Sequence, residues 1–174
     1  MNIYILLLLR LVHIVAGVGW VGGAVVNSLF VEPSARATAP ASGKFMQYFM
    51  GKRRFSAYMA VTSGLTVLAG GLLFWNSSGG FQWAWMRSGP GLMFTVGSVL
   101  GIAVWLWGLL LIAPRATRLS ALGQAIGAAG GPPTPAQTAE LQRLDREMSV
   151  IGRVDFVLLL VALFAMATAR YWLL

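Results

Sequence analysis

The chain has 174 residues, of which 57% are hydrophobic and 10% charged, and it carries a net charge of +8 and no cysteine. Soluble domains carry about 25% charged residues, so the composition indicates an integral membrane protein, and the missing cysteines exclude disulfides, thiolate-bound metals and iron–sulfur clusters within the chain. Because the basic residues flank apolar stretches, we expect them to meet anionic lipid headgroups and not nucleic acid.

The first apolar stretch predicts a transmembrane helix over about 4–31. Residues 11–31 carry no formal charge, and a spanning helix needs about 20 apolar residues. No basic residue precedes the stretch and no small-residue cleavage site follows it, so it differs from a signal peptide. Gly19 and Gly23 lie four residues apart, a spacing that lets another helix approach closely.

The chain's only histidine, His13, lies in this first stretch. Arg10 and Gly17 share its helix face at i−3 and i+4. One hypothesis is that His13 is a haem or copper ligand or a proton-handling group. In a haem site, His13 would ligate the iron, Arg10 would pair with a propionate and Gly17 would leave room for the macrocycle. The alternative is a neutral histidine hydrogen-bonded to a neighbouring helix. With one histidine in the chain, a haem would be five-coordinate, methionine-ligated or shared with another subunit.

Three further apolar stretches predict spans over about 55–75, 90–113 and 150–172. The predicted fold is therefore all-α, a single four-helix transmembrane bundle covering residues 1–174. Gly97 and Gly101 repeat the four-residue glycine spacing on the third span. Asp155, at the start of the fourth span, is expected to pair with a basic neighbour such as Arg54 or Arg115.

The segment between the third and fourth spans, about 114–149, predicts a cytoplasmic helical hairpin that extends both helices. Thr134 and the following Pro-Ala-Gln have the residue types of a capped helix start, and the Gly-Gly-Pro-Pro of residues 130–133 predicts the turn. Each predicted helix carries one apolar stripe. The stripes are Leu119, Leu122 and Ile126 on the first helix and Leu141, Leu144 and Met148 on the second. We expect Leu122 and Leu144 to be buried between them.

The basic residues assign the sides of the membrane. Ten of the 13 lie in the two longer loops or beside them, and three lie on the other side. Cytoplasmic loops carry the excess of lysine and arginine, so both termini are expected outside the bacterial inner membrane. The three outer residues are Arg10, Arg87 and Arg170, and the ten inner ones are Arg36, Lys44, Lys52, Arg53, Arg54, Arg115, Arg118, Arg143, Arg146 and Arg153.

The first helix resembles that of a broad group of small bacterial membrane proteins, which includes copper-resistance-D-like proteins and HemJ-type protoporphyrinogen oxidases. The resemblance is carried by Leu11-Val12-His13-Ile14 followed by Gly19-Trp20-Val21-Gly22-Gly23, and more loosely by Lys52-Arg53-Arg54, Thr62-Ser63-Gly64-Leu65 and Ala169-Arg170-Tyr171. Resemblance to the HemJ type implies a haem-binding oxidase with His13 as ligand. The lysine that this type carries in a later span has no counterpart here. The copper type implies methionine and histidine ligands.

Two functions from different classes follow. The first is a non-catalytic accessory subunit that packs against a larger membrane complex, redox or energy-transducing, or against a second copy of the chain. The second is a small b-type haem protein with His13 as axial ligand. The sequence has no phosphate loop, zinc-protease helix or nucleophile elbow. We prefer the accessory subunit, because a lone histidine offers little chemistry.

Overall fold

The computed structural model describes residues 1–39 and 41–172, so residues 173–174 of the predicted domain lie outside the description. Four helices within the described residues are long and apolar enough to cross a membrane. They are α1 (Ile3–Ala37), α3 (Phe55–Ser77), α5 (Gly89–Ala129) and α6 (Pro135–Tyr171). Between them lie α2 (Gly43–Gln47), which continues as a π-helix over Tyr48–Lys52, and the short α4 (Trp83–Met86). The described residues contain no strand, and the predicted all-α fold is confirmed, with four helices that are long and apolar enough to span a membrane.

Two of the long helices contain a π-helical turn close to a proline. The turn Asn27–Val31 of α1 comes just before Pro33, and the turn Gly108–Ile112 of α5 comes just before Pro114. A proline has no N–H to donate, and its ring clashes with the carbonyl four residues earlier. A wider turn at that point relieves the clash. Both helices therefore continue past the proline.

The α5–α6 connection runs from Gly130 to Thr134. Gly130, with φ of +67°, ends α5, a conformation that costs glycine little. The Thr134 hydroxyl then accepts from the backbone N–H of Gln137, and the Gln137 side chain accepts from the N–H of Thr134. This capping box at the start of α6 confirms the predicted cap. Leu144 is 1% exposed and Leu122 is half-buried, as are the other predicted stripe residues Leu119, Ile126, Leu141 and Met148.

Helix pairs α1–α3 and α5–α6 make the most extensive contacts, and α3 also packs on α5. A buried cluster of Trp20, Ala24, Val104 and Leu159 joins α1, α5 and α6. Each helix contacts its neighbours along one side only. The rest of its surface carries many exposed leucines and valines, which suits contact with lipid.

Three of the four glycines predicted to pack, Gly19, Gly23 and Gly97, contact other helices of the chain. A Cβ built at Gly19 would be 2.6 Å from Oη of Tyr58, and one at Gly23 would be 2.7 Å from Sδ of Met59. Gly97 meets α6 in the same way, since a Cβ there would be 2.9 Å from Cγ of Met166.

Gly101 does not share this role. No atom lies within 4 Å of a Cβ built there. Four residues advance a helix by slightly more than one turn, and the side chain that fills the space at Gly97 does not reach Gly101. The predicted packing of Gly101 is therefore not formed among the residues that the structure describes.

Candidate functional site

His13 lies against α3. Its Nδ1 is 2.8 Å from the backbone carbonyl oxygen of Thr66. A carbonyl only accepts hydrogen bonds, so Nδ1 carries the proton and donates, and Nε2 is left as the acceptor nitrogen. This is the arrangement of the alternative hypothesis, a histidine hydrogen-bonded to a neighbouring helix.

Gly70 makes room for the imidazole. A Cβ built at Gly70 would be 2.8 Å from Cε1 of His13 and 2.9 Å from Nδ1. Any side chain here would push the ring away from α3. Sequence reasoning missed both Thr66 and Gly70. Their spacing of four residues places them on one face of α3, but only the register between α1 and α3 brings that face to His13.

Arg10 and Gly17 do not join His13 in one cavity. Arg10 is exposed and lines a shallow groove of about 310 Å³ with Ile3, Leu6, Leu7 and Asn76. Gly17 faces α3, where a Cβ would be 3.7 Å from Cγ2 of Thr66. The space that the haem hypothesis reserves beside Gly17 is therefore occupied by Thr66. Within residues 1–39 and 41–172, no group of three histidine or acidic side chains is arranged to hold a metal ion.

Known proteins give no further guide to this site. No family model, curated protein or solved structure matches the chain. The resemblance of the first helix to haem- and copper-related proteins stays a prediction, and function has to be inferred from the geometry.

A second polar site joins α1 to α6 at the end of the bundle opposite His13. The Nη1 of Arg36 donates to Oγ of Ser149 at 2.9 Å, and its Nη2 lies 3.4 Å from a carboxylate oxygen of Asp145. Arg36 also pairs with Glu32 on its own helix at 2.6 Å. Arg153 donates to the same Ser149 hydroxyl at 3.1 Å. Ser149 is 7% exposed. Its buried hydroxyl therefore accepts hydrogen bonds from two arginines that lie on different helices.

Ion pairs also hold the α5–α6 hairpin together. Arg115 pairs with Glu147 at 2.9 Å and Arg118 with Glu140 at 3.0 Å, while Arg143 contacts both glutamates. The hydrogen bond from Arg143 lowers the pKa of Glu140, and the one from Arg115 lowers the pKa of Glu147. Both carboxyl groups lie beyond the predicted ends of the spans.

Asp155 does not form the predicted ion pair. Its Oδ1 is buried and has no hydrogen-bond partner among the described residues. Arg115 is occupied by Glu147, which lies two turns earlier on α6. Within the same residues, Arg54 makes no salt bridge. The expectation of a pair with Arg54 or Arg115 is therefore wrong.

The outward side of α3 presents glycines that none of residues 1–39 and 41–172 covers. Nothing lies within 4 Å of a Cβ built at Gly64 or Gly71. At 3.6 residues per turn these two fall within one arc of about 120° together with exposed Val61, Leu68 and Leu72. We call these five residues the open face of α3. His13 covers the neighbouring Gly70, whereas Gly71 is uncovered.

Proposed function

We propose that the chain is a non-catalytic accessory subunit that packs against a larger membrane complex. The observation that carries this proposal is the open face of α3. Small residues at membrane helix surfaces let a second backbone approach closely, and van der Waals contact along such a surface drives helix association in lipid. Gly64 and Gly71 offer this approach on a side that the chain leaves uncovered.

The polar side chains of the chain support the same function. His13 contributes a hydrogen bond between α1 and α3. The Arg36–Ser149 and Arg115–Glu147 contacts join helices at the other end. These polar groups connect helices of the same chain. We therefore propose that the chain binds its partner through its apolar helix faces.

The proposed orientation follows the charges. The excess of basic residues lies at the hairpin end, and cytoplasmic segments carry such an excess. The hairpin is thus proposed to face the cytoplasm of a bacterial cell and both termini the outside. The ion pairs along the hairpin leave its outer polar surface free for contacts with a partner's cytoplasmic loops.

The test compares the tagged full-length chain with a Gly64→Leu/Gly71→Leu variant, after extraction of bacterial membranes in mild detergent. The wild type should elute as part of a complex. The double variant should elute alone with an unchanged thermal midpoint, because both positions face open space. Gly22→Leu is the matched control, since a Cβ at Gly22 also meets nothing within 4 Å but lies on α1. It should retain the complex.

A double variant that keeps the complex at wild-type yield would contradict the proposal. A wild type that elutes only as a dimer of this chain would replace the larger complex with a second copy. If the open face of α3 forms the dimer interface, the Gly64→Leu/Gly71→Leu variant should then elute as a monomer.

A second candidate, a b-type haem protein, is favoured by one observation. The Nδ1–H of His13 donates to a backbone carbonyl, and metal-ligating histidines are commonly oriented by this bond while Nε2 ligates. The haem candidate expects a Soret band in the purified protein that His13→Ala abolishes. The accessory subunit expects a colourless protein and a His13→Ala variant that still folds and binds its partner.

A further inference from the structure

The segment between α1 and α3 carries a row of aromatic rings. Phe45 stacks on Phe49 with ring centroids 5.8 Å apart, and Phe49 stacks on Phe55, the first residue of α3, at 4.6 Å. Tyr58 extends the row at 6.2 Å. Phe45 is 54% exposed and Tyr48 57% exposed. Exposed aromatic rings at the end of a spanning helix suit the membrane–water interface, because one side of the ring is apolar and the other side meets water.

The same segment carries four basic side chains that no acid neutralises. Lys44, Lys52, Arg53 and Arg54 are all exposed. The salt bridges within the described residues involve other arginines, namely Arg36, Arg115, Arg118 and Arg143. Three of the four hairpin arginines, Arg115, Arg118 and Arg143, pair with glutamates. By contrast, none of the four basic residues of the 43–54 segment forms a salt bridge in the part of the chain that the structure describes.

The backbone places this charge directly at the end of a span. Arg54 adopts φ of 54° and ψ of 36°, a left-handed conformation that is costly for a residue with a Cβ. The N–H of Arg53 donates to the carbonyl of Tyr48 at 2.9 Å, and the N–H of Tyr58 donates to that of Arg54 at 3.0 Å. Only Arg53 and Arg54 separate the π-helical turn from α3, so the last three basic residues directly precede the first residue of this candidate span.

We propose that residues 43–54 bind the phosphate groups of anionic phospholipids. Exposed Phe45 and Tyr48 lie in the interface, and Lys44, Lys52, Arg53 and Arg54 contact the headgroups. Clustered basic residues beside a spanning helix attract anionic lipid, and lysine and arginine form charge-assisted hydrogen bonds to phosphate. This surface goes beyond the accessory function, since it is independent of the open face of α3.

The experiment measures which lipid stays with the protein. The full-length chain is reconstituted in vesicles of phosphatidylcholine and phosphatidylglycerol, extracted in mild detergent, and its retained lipids are quantified by mass spectrometry. The wild type should retain phosphatidylglycerol in excess over its share of the vesicle. Lys52→Gln/Arg53→Gln/Arg54→Gln should reduce this preference by on the order of tenfold, because three of the four cations are lost.

The matched control is Arg10→Gln/Arg87→Gln/Arg170→Gln, which removes the same net charge at the other end of the bundle. It should keep the wild-type preference. If the 52–54 variant keeps the preference, or the control loses as much, the proposed site is wrong. A wild type whose thermal midpoint rises as much with inorganic phosphate in pure phosphatidylcholine as with phosphatidylglycerol would assign the site to a soluble anion and overturn the lipid proposal.

Arg54→Gly keeps the test decisive if the triple variant does not fold. Glycine adopts the left-handed conformation without penalty, so this variant should be at least as stable as the wild type in phosphatidylcholine while it loses part of the lipid preference. Lys44→Gln/Lys52→Gln avoids the strained residue altogether and should lower the preference as well. Wild-type lipid preference in both variants would contradict the proposal.

Discussion

His13 is held by two residues of α3, and each fixes a different property of the imidazole. The carbonyl of Thr66 fixes the tautomer, and the missing side chain of Gly70 fixes how close the ring lies to the helix. A hydrogen bond between membrane helices contributes about 0.6 kcal/mol on average, and the close approach of the ring to Gly70 adds van der Waals contact. His13 therefore connects α1 to α3, and this role does not depend on what binds its Nε2 atom.

Gly70→Ala should destabilise the protein. The new methyl group would lie 2.8 Å from Cε1 of His13, and overpacking of this kind costs about 1–3 kcal/mol. Gly71→Ala is the control, because its Cβ meets nothing within 4 Å. Alanine is the better helix former by about 0.5–1 kcal/mol, so Gly71→Ala should be neutral or stabilising. Equal midpoints for the two variants in thermal or SDS unfolding would contradict this account of the His13 site.

Among the residues, the sequence singles out His13 because an ionisable group inside a span is rare. It does not predict Thr66 or Gly70, which lie more than fifty positions away and meet His13 only through the packing of α1 on α3. The Asp155 pair is mispredicted for a related reason. Asp155 lies on α6, Arg115 on α5 and Arg54 just before α3. Only the packing of these helices decides which acid Arg115 reaches.

The helices themselves are predictable where their signals are local. The apolar runs mark the four spans, and the residues after Thr134 mark the start of α6. The π-helical turns are not predictable in this way, because they depend on how a proline is accommodated within a continuing helix. Those turns extend α1 and α5 past the prolines. They place Arg36 and Arg115 where each reaches α6.

Ser149→Ala should weaken the link between α1 and α6. The substitution removes the buried hydroxyl that accepts from both Arg36 and Arg153, and lost hydrogen bonds to charged groups cost about 1.5–3 kcal/mol. Ser120→Ala is a suitable control, because Ser120 is exposed on the hairpin and accepts only from Gln124 in the described chain. Its effect should stay within about 0.5 kcal/mol. Unfolding midpoints of the two variants decide between a structural link and an incidental contact.

The hairpin should loosen in acid. Glu140 and Glu147 have pKa values below the ordinary 4.5 because arginines hydrogen-bond to them. A lowered pKa in the folded state adds stability that is fully present above the unfolded value and is lost as the pH falls through the folded value. Amide exchange over residues 115–147, corrected for the intrinsic rate, should therefore accelerate below about pH 4.5. Glu140→Gln/Glu147→Gln should remove this pH dependence, and a wild-type hairpin whose protection is constant down to pH 2 would contradict the role of the ion pairs.

The whole molecule is a bundle of two tightly packed helix pairs, and the ion pairs of the described residues are gathered at one end. The α1–α3 pair buries glycines against side chains, and the α5–α6 pair continues into the hairpin. The same end holds the uncompensated basic segment 43–54 and the Arg36 network. This asymmetry is readable from the sequence as a charge difference, but the open face of α3 appears only once the helices are assembled.

The proposed orientation makes a direct prediction, and the chain's lack of cysteine makes it easy to test. Gly131→Cys in the hairpin turn and Tyr171→Cys near the end of α6 each introduce one thiol at an exposed position. A membrane-impermeant maleimide added to intact cells should label Tyr171→Cys and spare Gly131→Cys. Labelling of both after the cells are opened is the control, and the reverse pattern in intact cells would invert the topology.

We propose that this chain works by packing against another membrane protein. The most direct measurement is the mass and absorption spectrum of the wild-type protein purified in mild detergent. The accessory function predicts a colourless chain within an assembly well above the 18.7 kDa of the monomer. An isolated monomer that carries one haem per chain, lost in His13→Ala, would contradict it.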